Sequence, residues 1–319
     1  MEQYLFGIDV GGTTVKCGLF RRSGELLEKW EIPTRTEENG RQILPDVAAT
    51  IRCKIQERNL KKEEIAGVGI GVPGPVMESG EVPGAVNIHW GYKNVAGELT
   101  EALNLPVRVG NDANVAALGE MWAGGGRGAS NLIMVTLGTG VGGGVIVNGK
   151  IVTGAHGAGG EIGHAIMEPA EEEACNCGNR GCLEQYASAT GIVRLAKRYL
   201  AAEYPDGGTI QAPAWLCAEK LTARDVFDAY KDGDSAAETI VRRFADCLGR
   251  AMAFYACVTD PEVFVIGGGV SGAGEPLLEI LGRYYRKYAF PACRDAGMVL
   301  AKLGNDAGIY GAARLVLCG

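Results

Sequence analysis

Long apolar runs are missing from this chain. No stretch approaches the roughly 20 apolar residues of a membrane-spanning helix. The opening MEQYLFGIDVGG also lacks the basic start and apolar core of a secretion signal, so a cytoplasmic location is expected. Positive charge is in short supply too. The 31 Lys and Arg are outnumbered by 38 Asp and Glu, for a formal net charge of −7. That balance argues against nucleic acid or an anionic membrane surface as the main partner, and any anionic ligand must be held by local dipoles. Of the ten cysteines, Cys17, Cys53, Cys217, Cys247, Cys257, Cys293 and Cys318 stand singly in apolar or helical sequence. In a cytoplasmic protein these read as small buried hydrophobes or free thiols rather than a disulfide framework.

What is present is a globular composition, 47% hydrophobic and 22% charged, over 319 residues, which is enough for two domains. Periodicity and turn residues predict strands over residues 4–10, 15–20, 65–72, 107–109, 132–137, 141–148 and 263–266. Helices are predicted over 42–58, 95–103, 113–122, 187–200, 223–230 and 235–258, with further helices from about 275 and over 308–317. The glycine run Gly124-Gly125-Gly126 suggests a domain junction, so residues 1–122 with 306–319 are expected to form one domain and 123–305 the other. Residues 203–214, rich in Gly, Pro and Ala, read as an exposed connection.

Three glycine turns stand out. In the first, Asp9 ends a strand before Gly11-Gly12-Thr13-Thr14, with Lys16 beyond. Removing side chains there lets backbone amides approach phosphate oxygens. Alone, this turn reads equally well as an ordinary β-hairpin. The second, Gly138-Thr139-Gly140, repeats the design between two strands and suggests an internal duplication able to hold a nucleotide's phosphates. The third, Gly267-Gly268-Gly269, follows a strand and leaves room for adenosine. None matches the P-loop or the dinucleotide fingerprint. The expected fold class is therefore α/β, with two actin-like ATPase (ribonuclease H-like) domains and a cleft between them.

Asn111 and Asp112 sit at a strand end, where open α/β sheets place ligands. Asp112 has the context of a general base for an alcohol, with an N-cap for the following helix as the plain alternative. Asp9 can act on the metal and phosphates of Mg-ATP through water. Further on, His164, Cys175, Cys177 and Cys182 offer one nitrogen and three thiolates, which fill all four positions of tetrahedral zinc and leave none for water. A structural ion is expected, fixing Glu161 and Glu184 beside its ligands. Glu171, Glu172 and Glu173 read as solvated loop acids, and His89 and His156 are assigned no role.

The strings IDVGGTTVK, GVPGP, NDANVAALGE, TLGTGVGGG, GEIGH and CNCGNRGCLE, with VIGGGVS further on, resemble the ROK family of bacterial sugar kinases and sugar-responsive repressors, in the family's order. The cysteine string is the most specific of them. The resemblance implies Asp112 as catalytic base, with Asn111, Glu161, His164 and Glu184 as sugar ligands and Gly74 bringing its backbone to the sugar. It implies ATP and a hexose as small-molecule partners, and a homodimer or homotetramer. EIGH and NIHW resemble glucokinase-type members, with kinases for fructose, mannose, N-acetylglucosamine or N-acetylmannosamine as alternatives. A ROK repressor is expected to carry a helix-turn-helix ahead of the first phosphate hairpin, yet Asp9 follows only eight residues. A sugar-binding protein without catalysis is disfavoured because Asp112 and both phosphate turns are present.

Overall fold

The computed structural model describes residues 3–205 and 212–318. The chain divides into two compact units. Met1–Leu132, Gly144–Gly160 and Lys302–Gly319 form the first, and Ile133–Gly143 and Glu161–Ala301 the second.

The first sheet begins with an antiparallel meander of β1 (Tyr4–Val10), β2 (Thr14–Arg21) and β3 (Leu26–Pro33). The strands β4 (Ile65–Val72) and β5 (Val107–Asn111) add to it in parallel, in the order β3-β2-β1-β4-β5. Period-2 alternation explains β1. Leu5 packs with Phe20, Ile309 and Ala313 on one face, while Phe6, Ile8 and Val10 join Val47 and Ile51 on the other. A second five-stranded sheet contains β6 (Leu132–Leu137), β7 (Val141–Val147), β8 (Lys150–Ile151), β9 (Val263–Gly267) and β10 (Gly297–Leu300) in the order β8-β7-β6-β9-β10. Both sheets thus place three sequence-adjacent strands beside two later ones, as the expected duplication requires.

Helices α1 (Ile43–Glu57), α2 (Val95–Leu103) and α3 (Asp112–Ala123) belong to the first unit. The second holds α4 (Ala189–Glu203), α5 (Ala223–Lys231), α6 (Ser235–Thr259) and α7 (Glu275–Tyr288). The last helix, α8 (Ala307–Leu315), returns to the first unit and packs on α3 and β1. Backbone contact makes this seam close: a Cβ on Gly69 would fall 1.7 Å from the Ala312 carbonyl oxygen, and one on Gly311 1.7 Å from that of Val115. Of the connection expected over residues 203–214, residues 206–211 lie outside the described residues, and Glu203, Pro205 and Ala214 are exposed.

The division departs from the expected junction after residue 122. Wholly buried Glu120 accepts backbone N–H bonds from Gly125 (2.7 Å), Lys302 (3.0 Å) and Leu303 (2.8 Å). This carboxylate holds both the glycine run and the returning chain in the first unit. Residues 144–160 also belong there rather than to the second domain. Gly144 lies so close to α3 that a Cβ would come 2.4 Å from that of Ala117, and Asn114 Nδ2 donates to the Gly159 carbonyl at 2.9 Å.

Candidate active site

In the first unit, the hairpin between β1 and β2 is closed by the Gly11 amide donating to the Thr14 carbonyl at 3.0 Å. Thr34 braces it from the end of β3: its hydroxyl donates to the Gly11 carbonyl at 2.7 Å and its amide to that of Thr13 at 2.9 Å. Gly12 and Thr13 are left exposed at the tip. Lys16 pairs in register with Asp9, and its ammonium donates to the Asn305 carbonyl at 3.1 Å. Burial pushes the Asp9 carboxyl up to about 6, with the positive charge of Lys16 opposing and the negative charge of Asp112 adding.

A carboxylate raised in this way contributes stability below its unfolded value of 3.8 that is lost as pH rises through about 6. Asp9→Asn is therefore expected to stabilise the unliganded protein by about 2 kcal/mol at pH 7.5 and to flatten that pH dependence. Turnover should fall at the same time. Urea unfolding at pH 5 and 7.5 checks the first effect, and an unchanged pH dependence would refute it.

The β5–α3 corner carries Asn111 and Asp112. The helix cap is Asn111, whose Oδ1 accepts from the Asn114 amide at 3.1 Å, so the plain reading of Asp112 as the N-cap does not hold. Asn111 Nδ2 donates to the Gly74 carbonyl and to Asp112 Oδ1, both at 3.0 Å, and the Ala113 amide donates to the same Asp112 oxygen at 2.8 Å. Gly74, Asn111 and Asp112 are thus joined by one side-chain amide. Gly74 has a φ of +86°, and a Cβ there would meet the Gly84 carbonyl oxygen at 2.6 Å.

In the second unit, the metal-donor atoms of His164, Cys175, Cys177 and Cys182 all lie within 4.8 Å of one another. His164 Nδ1 is 3.8 Å from Cys175 Sγ, and the sulfurs of Cys177 and Cys182 are 3.6 Å apart. Tetrahedral zinc with Zn–S bonds of about 2.3 Å separates its donors by about 3.8 Å, so the set fits such an ion. Two bridges, Ala174 with Arg180 and Ile166 with Cys182, fold the cysteine segment back on itself. His164 Nε2 faces away from the sulfurs, 3.9 Å from Glu161 Oε2.

Glu184 lies between two features: Oε1 is 3.2 Å from Cys175 Sγ, and Oε2 accepts from the Val141 amide at 3.3 Å. It connects the cysteine loop to the second glycine turn. That turn is pinned by the start of α4, where the Ala189 amide donates to the Gly138 carbonyl at 2.8 Å and the Thr190 hydroxyl to that of Thr139 at 2.7 Å. Gly140 leaves space for Glu184, whose Oε2 a Cβ would meet at 2.3 Å. Thr139 borders a cavity of about 690 Å3 with Thr190 and Lys197, and Gly269 borders one of about 470 Å3 with Thr222 and Phe227. Among the other histidines, His89 and His156 are exposed.

Glu171 is not a solvated loop acid. Its side chain is 2% exposed, accepts from Tyr186, from Arg198 and from the amides of Glu172 and Glu173, and is ion-paired with Arg194 at 2.6 Å. These donors, Arg198 foremost, hold its carboxyl far below the usual range. The arginines sit one helical turn apart on α4 and both reach the carboxylate. Glu171→Ala is expected to cost about 3 kcal/mol, the low end for breaking a buried pair, because Arg198 at 43% exposed regains water. With the folded value depressed, this stability is fully present above the unfolded value of 4.5 and is lost progressively below it, as pH falls toward the depressed folded value. Thermal unfolding at pH 7 checks the loss, and a change below about 0.5 kcal/mol would contradict it.

The profile of the ROK family matches residues 5–318. A glucokinase of Halalkalibacterium halodurans is 42% identical over 325 residues, covering 99% of this chain and 95% of its own. Among solved structures, a ROK family glucokinase from Streptomyces griseus in complex with glucose and AMPPNP is 32% identical with a TM-score of 0.72, covering 99% of this chain and 100% of that one. A ROK hexokinase from Thermus thermophilus is 32% identical with a TM-score of 0.80, covering 99% and 98%. These structures share the two-domain actin-like fold. A match over nearly the whole length, on a chain whose one histidine and three clustered cysteines do converge, makes this protein a member of the ROK family.

Proposed function

We propose that this protein is an ATP-dependent glucokinase, making glucose 6-phosphate, with Asp112 as the general base. One observation carries the assignment of the base. At the end of β5, Asn111 takes the capping duty and also donates to Asp112 Oδ1, which together with the Ala113 amide orients the carboxylate. In the reaction, Asp112 accepts the proton of the sugar's 6-hydroxyl as that oxygen attacks the terminal phosphorus in line and ADP leaves. The amides of Gly12, Thr13 and Thr14, and of Thr139 and Gly140, suit phosphate oxygens, while those of Gly11 and Gly138 close their turns on the carbonyls of Thr14 and Gly140. The cavity beside Gly269 suits adenosine, with Gly267 and Gly268 at its approach. Asp9 would hold the water shell of the Mg2+ that accompanies ATP, an ion that would neutralise phosphate charge there.

Glucose recognition falls to Gly74, Asn111, Glu161, His164 and Glu184. Asn111 has both amide hydrogens committed, so it offers sugar only the remaining lone pair of Oδ1. Zinc held by His164 Nδ1 and the three thiolates would fix this loop and leave Nε2 to donate to a hydroxyl. A homodimer or homotetramer in the cytoplasm completes the reading. The described residues include no helix long and apolar enough to cross a membrane. Coupled assays with ATP against glucose, fructose, mannose and the N-acetylated hexoses test the substrate. Glucose is expected to give the highest kcat/KM, and no turnover on any sugar would sink the kinase assignment.

A further inference from the structure

The first unit contains a cavity of about 380 Å3 along the outer edge of β5, at the small end of the range for metabolite pockets. Val109 of β5, Leu118 of α3 and Ile151 of β8 give it an apolar wall. Asn114, 3% exposed, also lines it. The Gly159 carbonyl fixes the orientation of the Asn114 amide by accepting from Nδ2, and this leaves Oδ1 buried with no donor. At the rim, Arg108, Lys150 and Glu78 are exposed, and their side chains make no hydrogen bond or ion pair among the described residues.

Two unengaged cations call for an anion, while an orphaned amide oxygen and a carboxylate call for hydroxyl donors. A phosphorylated sugar supplies both in one compact molecule. We propose that this cavity is a regulatory site for a sugar phosphate, with the phosphate at Arg108 and Lys150 and hydroxyls donating to Asn114 Oδ1 and Glu78. Its floor reaches Asn111 and Gly110, the two residues before Asp112, so an occupant bears on the first turn of α3. The regulatory meaning rests on the proposed glucokinase activity, whose product belongs to this ligand class.

Calorimetric titration with glucose 6-phosphate, without ATP and with glucose in excess, tests the site, because excess glucose keeps the product out of the sugar pocket. One binding event per chain is expected to survive the glucose. The double variant Arg108→Ala, Lys150→Ala should weaken it by at least about tenfold. KM for glucose should stay within about twofold, since neither residue belongs to the proposed reaction. Inorganic phosphate should bind more weakly than glucose 6-phosphate, lacking the hydroxyls. No binding, binding abolished by glucose, or binding unchanged in the double variant would each overturn the proposal. The titration needs no turnover, so a failed sugar panel would remove the kinase assignment and leave this result readable.

Discussion

Replacing Asp112 by alanine is expected to lower kcat by about a thousandfold, within the range for loss of a general base, while KM for glucose changes only a few-fold. The fold should tolerate the change. Asn111 supplies the cap, so α3 keeps its start, and the loss is that of a carboxylate in the first turn, about 0.3–1 kcal/mol, and of the bonds it accepts from Asn111 Nδ2 and the Ala113 amide. Asp112→Asn separates position from protonation. The amide oxygen can still accept from Ala113 and Asn111, yet the group takes up no proton, so its kcat should fall as far as that of the alanine variant. A separate signature comes from Asp9, whose carboxyl is raised partly by the charge of Asp112. In both variants its titration, followed by carbon NMR, should move down from about 6. Near-normal turnover in Asp112→Asn would remove Asp112 as the base.

The second large effect is expected from the cysteine loop. Wild-type protein purified without chelator should contain about one zinc per chain, and Cys182→Ser should contain almost none. KM for glucose in that variant should rise by about a hundredfold, because Glu161, His164 and Glu184 lose their common support. Cys182 is wholly buried, but serine is close to it in size, and the second unit keeps its aromatic packing outside the loop, Phe227 on Phe244 and Phe264 on Tyr285. The variant should therefore remain folded while losing sugar affinity. KM for ATP should rise less, through the tie from Glu184 to the Val141 amide. Full metal content with an unchanged KM would contradict the structural-ion assignment.

Much of this organisation can be read from the sequence because its signals are local. Strand alternation around Asp9, the glycine turns and the short spacing of Cys175, Cys177 and Cys182 each need only a few consecutive residues to interpret. What escapes such reading is long range. Glu120 looks like an ordinary helix-surface acid until the amides of Lys302 and Leu303, more than 180 residues away, are placed on it. The domain boundary fails for the same reason. Glu171 sits among Glu172 and Glu173 with nothing local to mark it, and only the fold turns α4 so that Arg194 and Arg198 meet it. Asn111 misleads in another way, since a residue read for sugar binding turns out to do the capping assigned to its neighbour.

The placement of α8 sets an order of events during synthesis. The first unit needs Ile309 and Ala313 to cover Leu5 and Phe20, but the ribosome makes those residues some 300 positions later. The second unit can close while the opening sheet still exposes an apolar face. This face is the one a nascent-chain chaperone would be called on to shield, and a chain truncated before residue 307 would be lost to aggregation even though its proposed catalytic residues were all present.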